Sequence, residues 1–388
     1  MAFVEPDSIP QSLFELESPD DLPESLRFRS DPLIKAAFKH SMTSEQRQED
    51  FNNAAILTYH TYPQRDANRA NLYLMWDLCA KYLLHVISLK DCFREEKKLN
   101  PKFTALSLYC SSQKLLPAIS LGNRFLDDLA DLIEVNTMAL NTLPPEDQAI
   151  GLQGSLTSHR GQWLLRLGMD TLNNFTEALE WYERSHGHYL ELSNQQEENK
   201  GELSLTIMIE MGLCLVWSGQ PQTARELLSS ALRQIESMNP YNCARAAGAH
   251  FGFGLVDRHN IDFESAEIHF LEAQNLWLKA GQMRTNPFDA GCMYRLGCVA
   301  LDRGKVESAV RYLREAMTIT QMRTHIMTAE HAKVLFKISE ALEQEPQHGE
   351  EAQLMREEAE RLLRLRSPNA VNPGSECTYD RLILTEWR

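Results

Sequence analysis

GLCLVWSGQPQTARELLSSA, residues 212–231, decides the fold. Gly212 is followed twelve residues later by Ala224, then by Leu228 and Ala231, with Gly219 in between. The same offsets recur at Gly254, Ala266, Phe270 and Ala273, and again at Gly297, Ala309, Leu313 and Ala316, where Gly304 takes the turn. An alanine, a large apolar residue four places on and a small residue three beyond it share one face of a helix. The preceding glycine then lies on a separate helix, across a turn. Small residues at both places let two antiparallel helices approach closely, and the large residue fills the gap to the next hairpin. A looser copy reads Gly168, Ala178, Tyr182 and Ser185, and a terminal copy, Ala352 with Ala359, lacks the glycine. The markers Ala178, Ala224, Ala266, Ala309 and Ala352 recur at a period near 43 residues, the signature of an array in which each unit buries its face against its neighbours.

Outward from this array the chain stays helical. Pro32 opens a helix carrying Leu33, Ile34, Ala37 and Phe38, and Thr43 begins another with a capping-box spacing to Gln46. A third, from about Asn71 to Phe93, presents Leu72, Met75, Trp76, Cys79, Leu83, Val86 and Leu89 at three- and four-residue steps. Stretches 106–116 and 119–139 form a further pair, and Asn141 to Asp147, with Pro144 and Pro145, is the break before the repeats. The prolines and acids of the opening segment exclude a continuous helix there. The expected organisation is a flexible acidic leader over 1–27, an N-terminal helical block over 28–145, the repeat array over 146–366 and a C-terminal tail over 367–388.

Composition narrows the function classes. Gly and Pro number 18 and 16 in 388 residues, and 43% of the chain is hydrophobic, so a packed protein is expected. The formal charge of −15 argues against direct nucleic-acid binding and against an anionic membrane surface. Eight cysteines without a C-x-x-C pair fit neither a disulfide framework nor a zinc ribbon. Seven acids precede the first basic residue, Arg27, and no basic start with an apolar core follows, so no secretory signal is read. The longest apolar run, Leu203 to Trp217, contains Glu210 and is too short to span a bilayer. A cytoplasmic protein is expected.

The repeat offsets resemble those of the tetratricopeptide repeat, which implies an all-α, tetratricopeptide-like helical-hairpin solenoid with an N-terminal helical block. The opening residues Phe28, Pro32, Leu33, Ile34, Ala37, Met42, Thr43, Arg47, Phe51, Ala54, Ala55, Tyr62, Pro63, Trp76, Cys79, Leu84, His85, Val86, Leu89 and Phe93 are similar to the segment linking nucleotide-binding module to repeats in filamentous-fungal NB-ARC and tetratricopeptide proteins. Thr378, Tyr379, Asp380, Arg381, Leu382, Ile383 and Trp387 resemble the tail that closes such arrays. The departure is the nucleotide site: the only Gly-Lys, Gly304 with Lys305, is followed by Val306, so no phosphate cradle carries over. The resemblance implies the scaffold half alone, and permits a place beside secondary-metabolite gene clusters.

Counting from the three glycines, the first-helix positions that face the groove in tetratricopeptide arrays fall on Ile209, Leu213, Val216 and Trp217, then Phe251, Leu255, Arg258 and His259, then Tyr294, Cys298 and Leu301. The expected partner-binding residues are Trp217, Phe251, Leu255, Arg258, His259 and Tyr294. An apolar, aromatic groove with one basic spot suits an amphipathic helix or extended peptide of a protein partner, or alternatively a small apolar molecule. The competing reading of the alternating apolar face is inter-repeat core. His186 and His188 stand two apart, which points them to different sides of a helix and away from a metal site. His250, Asp257 and His259 around Gly254 suggest an acid/base group, set against ordinary polar helix positions. No cofactor and no metal ligand set is assigned, and no catalytic residue. The expected function is a non-catalytic protein-interaction adaptor; the alternative is an ancillary protein of a secondary-metabolite pathway that uses the same cavity for a small molecule, as a binder or an enzyme.

Overall fold

The computed structural model describes residues 41–61, 76–95, 99, 124–142, 150–167, 172–194, 200–282, 284, 286–322, 324, 327–380 and 382–383, and among them every regular element is helical. The expected leader with its boundary at 27, the helix after Pro32, the 106–116 helix, the break around Pro144 and Gly168 lie outside the described residues. By its contacts the chain divides into residues 1–51 and residues 52–388. Helix α1 (Ser44–Thr61) opens on the expected capping box: the Thr43 amide donates to Gln46 Oε1 at 2.9 Å, and the Gln46 amide to Thr43 Oγ1 at 3.2 Å.

In the second unit α2 (Trp76–Glu95) and α3 (Arg124–Thr142) are joined by Lys90 and Arg94, both paired with Asp131, and α3 packs on α4. Five antiparallel hairpins follow: α4 (Ile150–Leu167) with α5 (Leu172–Asn194), α6 (Lys200–Trp217) with α7 (Pro221–Glu236), α8 (Cys243–His259) with α9 (Phe263–Lys279), α10 (Pro287–Asp302) with α11 (Val306–Met322), and α12 (Thr328–Leu342) with α13 (Gly349–Arg366). A short α14 (Glu376–Asp380) comes after them and packs on α12. The result is an all-α solenoid of tetratricopeptide-like hairpins.

The repeat signature does what its residue sizes dictate. A Cβ on Gly254 would stand 2.7 Å from the Phe270 ring, and one on Gly297 would stand 2.5 Å from Leu313, so no larger residue fits without moving the helices apart. Leu228 lies against Gly212 of its own hairpin and Gly252 of the next, and thus stitches two hairpins together. Phe270 and Leu313 lie against Gly254 and Gly297 of their own hairpins and belong to the continuous core. In the first hairpin Tyr182 rests on Gly161 and Tyr189 on Gly154; the glycine assigned to that unit from spacing was Gly168, and the described contact belongs to Gly161.

Turns between paired helices repeat as closely. Gly219 and Gly304 take left-handed conformations with φ of 78° and 69°, and the following amides close back onto Leu215 and Ala300, each at 2.8 Å. The middle hairpin makes the same turn with Ile261, whose φ is 65° and whose side chain is 73% exposed. A β-branched residue there carries a backbone cost of roughly 1–2 kcal/mol, partly offset by the extra chain entropy glycine would lose. Ile261→Gly is therefore expected to stabilise the protein by about 0.5–1 kcal/mol, read as a higher urea midpoint at unchanged slope.

The two layers differ in burial. Outer helices such as α7 bury one stripe, Ala224, Leu228, Ala231 and Ile235, whereas α10 is buried at every position from Asp289 to Ala300 and α12 from Ala329 to Ser339. The first helices of the last hairpins are covered on both sides, and α14 supplies part of that cover. This layer holds the candidate site.

Candidate functional site

The six residues expected to form a partner-binding face divide into two groups. Trp217, at the end of α6, is half-buried; Arg258 is half-buried near the end of α8, and His259 is exposed beside it. Phe251, Leu255 and Tyr294 are 1%, 4% and 0% exposed. Phe251 sits edge-on to Phe270 with ring centroids 5.3 Å apart and 5.5 Å from Phe288, inside the seam between hairpins. The expectation of an open groove at Phe251 and Leu255 is thus corrected: both side chains belong to the inter-repeat core. Tyr294 is covered for another reason. Its hydroxyl donates to Glu376 Oε1 at 2.6 Å, so the C-terminal segment lies on it.

Around Tyr294 the structure adds to Arg258 a set of charges that the count from the glycines did not single out: Arg295, Lys333, Lys337, Glu376 and Asp380. Arg258 donates from Nε to Asp302 at 2.7 Å. Lys333, fully buried, pairs with Asp380 and stands 3.6 Å from Glu376; Lys337 pairs with Glu376 and, at 2.7 Å, with Glu340. Burial alone would raise the Glu376 carboxyl, but Lys333 and Lys337 outweigh it and hold the group down at about 2. The Lys333 ammonium is pulled below the ordinary lysine range by burial, against the opposing pull of Asp380 and Glu376. Arg295, 2% exposed, places its guanidinium carbon 5.5 Å from the Trp217 ring centroid and 5.9 Å from that of Tyr294. Its Nε and Nη2, like Trp217 Nε1, make no hydrogen bond among the described residues. Burial, then the nearby Arg258, lowers its affinity for the proton.

A spacing rule makes part of this legible after the fact. Lys333 and Lys337 stand four apart on α12, and Glu376 and Asp380 four apart on α14, so each pair projects from one helical face toward the other.

The acid/base group imagined around Gly254 takes a different form. Asp257 is paired with Arg225 of α7, and His250 Nδ1 lies 3.0 Å from Nδ1 of His269, a residue that spacing did not single out. His269 Nε2 stands 3.6 Å from Asp257, with its ring stacked on Phe253; His259 is apart from this chain and exposed. The chain Arg225–Asp257–His269–His250 ties α7, α8 and α9 together. Burial lowers the pKa of His250 and of His269, and likewise of His331, whose Nδ1 lies 2.8 Å from Thr320 Oγ1. Because the folded values lie below the unfolded value near 6.5, the unfolded chain takes up protons first as pH falls. Full histidine-dependent stability is expected above about pH 6.5 and progressive loss below it, and His269→Phe should flatten that slope in urea unfolding from pH 7 to 5. His186 Nδ1 is engaged with Ser204 Oγ at 2.9 Å, and among the described residues no cluster of three or more His, Cys, Asp or Glu is placed to hold a metal. No described helix is long and apolar enough to cross a membrane.

No family model and no curated protein matches the chain. Among solved structures it is similar to a Rap protein complexed with Competence and Sporulation Factor, at 12% identity over 83% of this chain and 79% of that one, with a TM-score of 0.52. It is also similar to aspartyl phosphate phosphatase F from Bacillus subtilis, at 12% identity over 84% and 76% with a TM-score of 0.44, and to a putative kinesin light chain with tetratricopeptide-like repeats from Podosopora anserina, at 17% identity over 55% and 96% with a TM-score of 0.38. At these identities the likeness to the Rap protein concerns the fold, and agrees with the hairpin geometry above.

Proposed function

We propose that this protein is a non-catalytic adaptor that binds a segment of a partner protein along the first-helix layer of the solenoid. The observation that carries this reading is that Trp217, Arg258 and His259 keep solvent access on that layer, where the buried Tyr294, Lys333 and Lys337 already hold a short segment of this chain, Glu376 to Asp380. The Rap protein of similar fold was itself seen in a complex, with Competence and Sporulation Factor, which supports the use of such a solenoid for recognition. The partner segment is an amphipathic helix or an extended peptide, and Trp217, Arg258 and His259 are the residues it meets first. The cysteine usage read in the sequence supports a reducing, cytoplasmic setting for this role.

The opening block supports a relationship to the repeat portion of fungal NB-ARC and tetratricopeptide proteins. The competing reading, an ancillary role in a secondary-metabolite pathway with a small apolar ligand on the same layer, rests on that resemblance alone.

Native purification of the tagged protein beside a Trp217→Ala, Arg258→Ala variant tests the adaptor reading, with protein and small-molecule content identified by mass spectrometry. A stoichiometric protein lost from a variant of unchanged helical content supports it. A retained small molecule with no protein partner overturns it.

A further inference from the structure

The C-terminal segment meets the first-helix layer in the manner of a bound peptide. Glu376, Tyr379 and Asp380, at helical spacing i, i+3 and i+4, face the fold, while Cys377 is exposed. Glu376 takes the Tyr294 hydroxyl and Lys337, Asp380 takes Lys333, and Tyr379 lies on Phe336 with ring centroids 4.7 Å apart. This is one anchor face of a short helix laid against charges and an aromatic ring, a recurrent mode of peptide recognition. The helix has only five residues and hangs from α13 by residues 367–375, which include Pro368, Pro373 and Gly374 and no buried side chain. The occupant also leaves the site incomplete. Arg295 is buried in the same cluster, within reach of the charges of Arg258 and Asp380, yet two of its donors and the Trp217 indole N–H make no hydrogen bond among the described residues. Buried cations are ordinarily paired, and an uncompensated one is costly.

We propose that Arg258, Tyr294, Arg295, Lys333 and Lys337 form a docking site for an acidic, aromatic peptide segment of the partner, and that residues 376–380 occupy it in cis until the partner displaces them. The inference rests on the adaptor reading and specifies its partner: a segment repeating the Glu-x-x-Tyr-Asp pattern with a further carboxylate for Arg295 and the Trp217 indole. That extra acid gives the partner a contact that the chain's own segment does not make.

The test uses the full chain and a fluorescent synthetic peptide of residues 375–383, SECTYDRLI, followed by anisotropy. The Glu376→Gln, Asp380→Asn variant is expected to bind the peptide at least tenfold more tightly than the wild type, because its own segment no longer competes. Lys337→Ala in that background should lose at least tenfold of the gain. Equal affinity for wild type and variant, no binding by a variant with unchanged helical content, or a wild type that runs as a dimer through exchanged segments overturns the proposal. Should the variant fail to fold, amide hydrogen exchange on the wild type decides: exchange of residues 376–383 at least tenfold faster than α12 supports a displaceable segment, and exchange in step with α12 overturns it. A partner captured by the wild type and unaffected by excess peptide would sink this inference and leave the adaptor reading standing.

Discussion

Phe251→Ala is expected to lower the unfolding free energy by about 3–5 kcal/mol, the cost of emptying a buried aromatic site that its surroundings cannot refill. Phe251 is enclosed by Phe270 of its own hairpin and Phe288 of the next, and Phe288 in turn lies 4.5 Å from the Trp277 ring. The loss therefore opens a seam between two repeats, and in a solenoid each seam is a nearest-neighbour term that the rest of the array does not replace. Urea unfolding followed by far-ultraviolet circular dichroism measures it. Trp217→Ala and Arg258→Ala, at half-buried positions, should cost clearly less. A Phe251→Ala protein as stable as the wild type would mean that the ring is not a core element.

The second large effect is acid loss of the C-terminal contact. The Glu376 carboxyl sits near 2 in the folded protein against 4.5 in the free side chain, through Lys333, Lys337 and the Tyr294 hydroxyl acting against burial. A depressed folded value means that the stabilisation is complete above pH 4.5 and disappears as pH falls toward 2. At about 1.4 kcal/mol per unit the ceiling is about 3 kcal/mol, and with a third of the side chain in water the screened value is about 1–2 kcal/mol. Glu376→Gln should forgo this contribution at neutral pH and flatten the stability profile between pH 4.5 and 2. A variant whose profile parallels the wild type throughout would show that the carboxylate is not engaged.

What was legible in the sequence was whatever size and spacing dictate. The glycine and second-helix positions of three hairpins could be assigned from offsets alone, while the contacts of Phe270 with Gly254 and of Leu313 with Gly297 within one hairpin emerge only on folding. The turn positions followed from the same count, and Ile261 stands out because it occupies a place the pattern gives to glycine. The first hairpin escaped because Tyr182 and Tyr189, longer than leucine, reach Gly161 and Gly154, and the glycine-to-alanine offset no longer marks the contact. The candidate site was less legible still. Counting groove positions assumes that a first-helix face is open, yet α10 is enclosed on all sides, and Phe251 and Tyr294 are buried for unrelated reasons, one by the next hairpin and the other by Glu376. Lys333 with Asp380 and Lys337 with Glu376 are about forty residues apart, and only folding shows that the two i, i+4 pairs meet.

The most direct test of the adaptor account is amide hydrogen exchange on the full chain with and without the partner recovered by native purification. Protection confined to α6, α8, α10 and α12, with faster exchange of residues 376–383, is the predicted result. Protection on α7, α9 and α11 with the first-helix layer unchanged would contradict it.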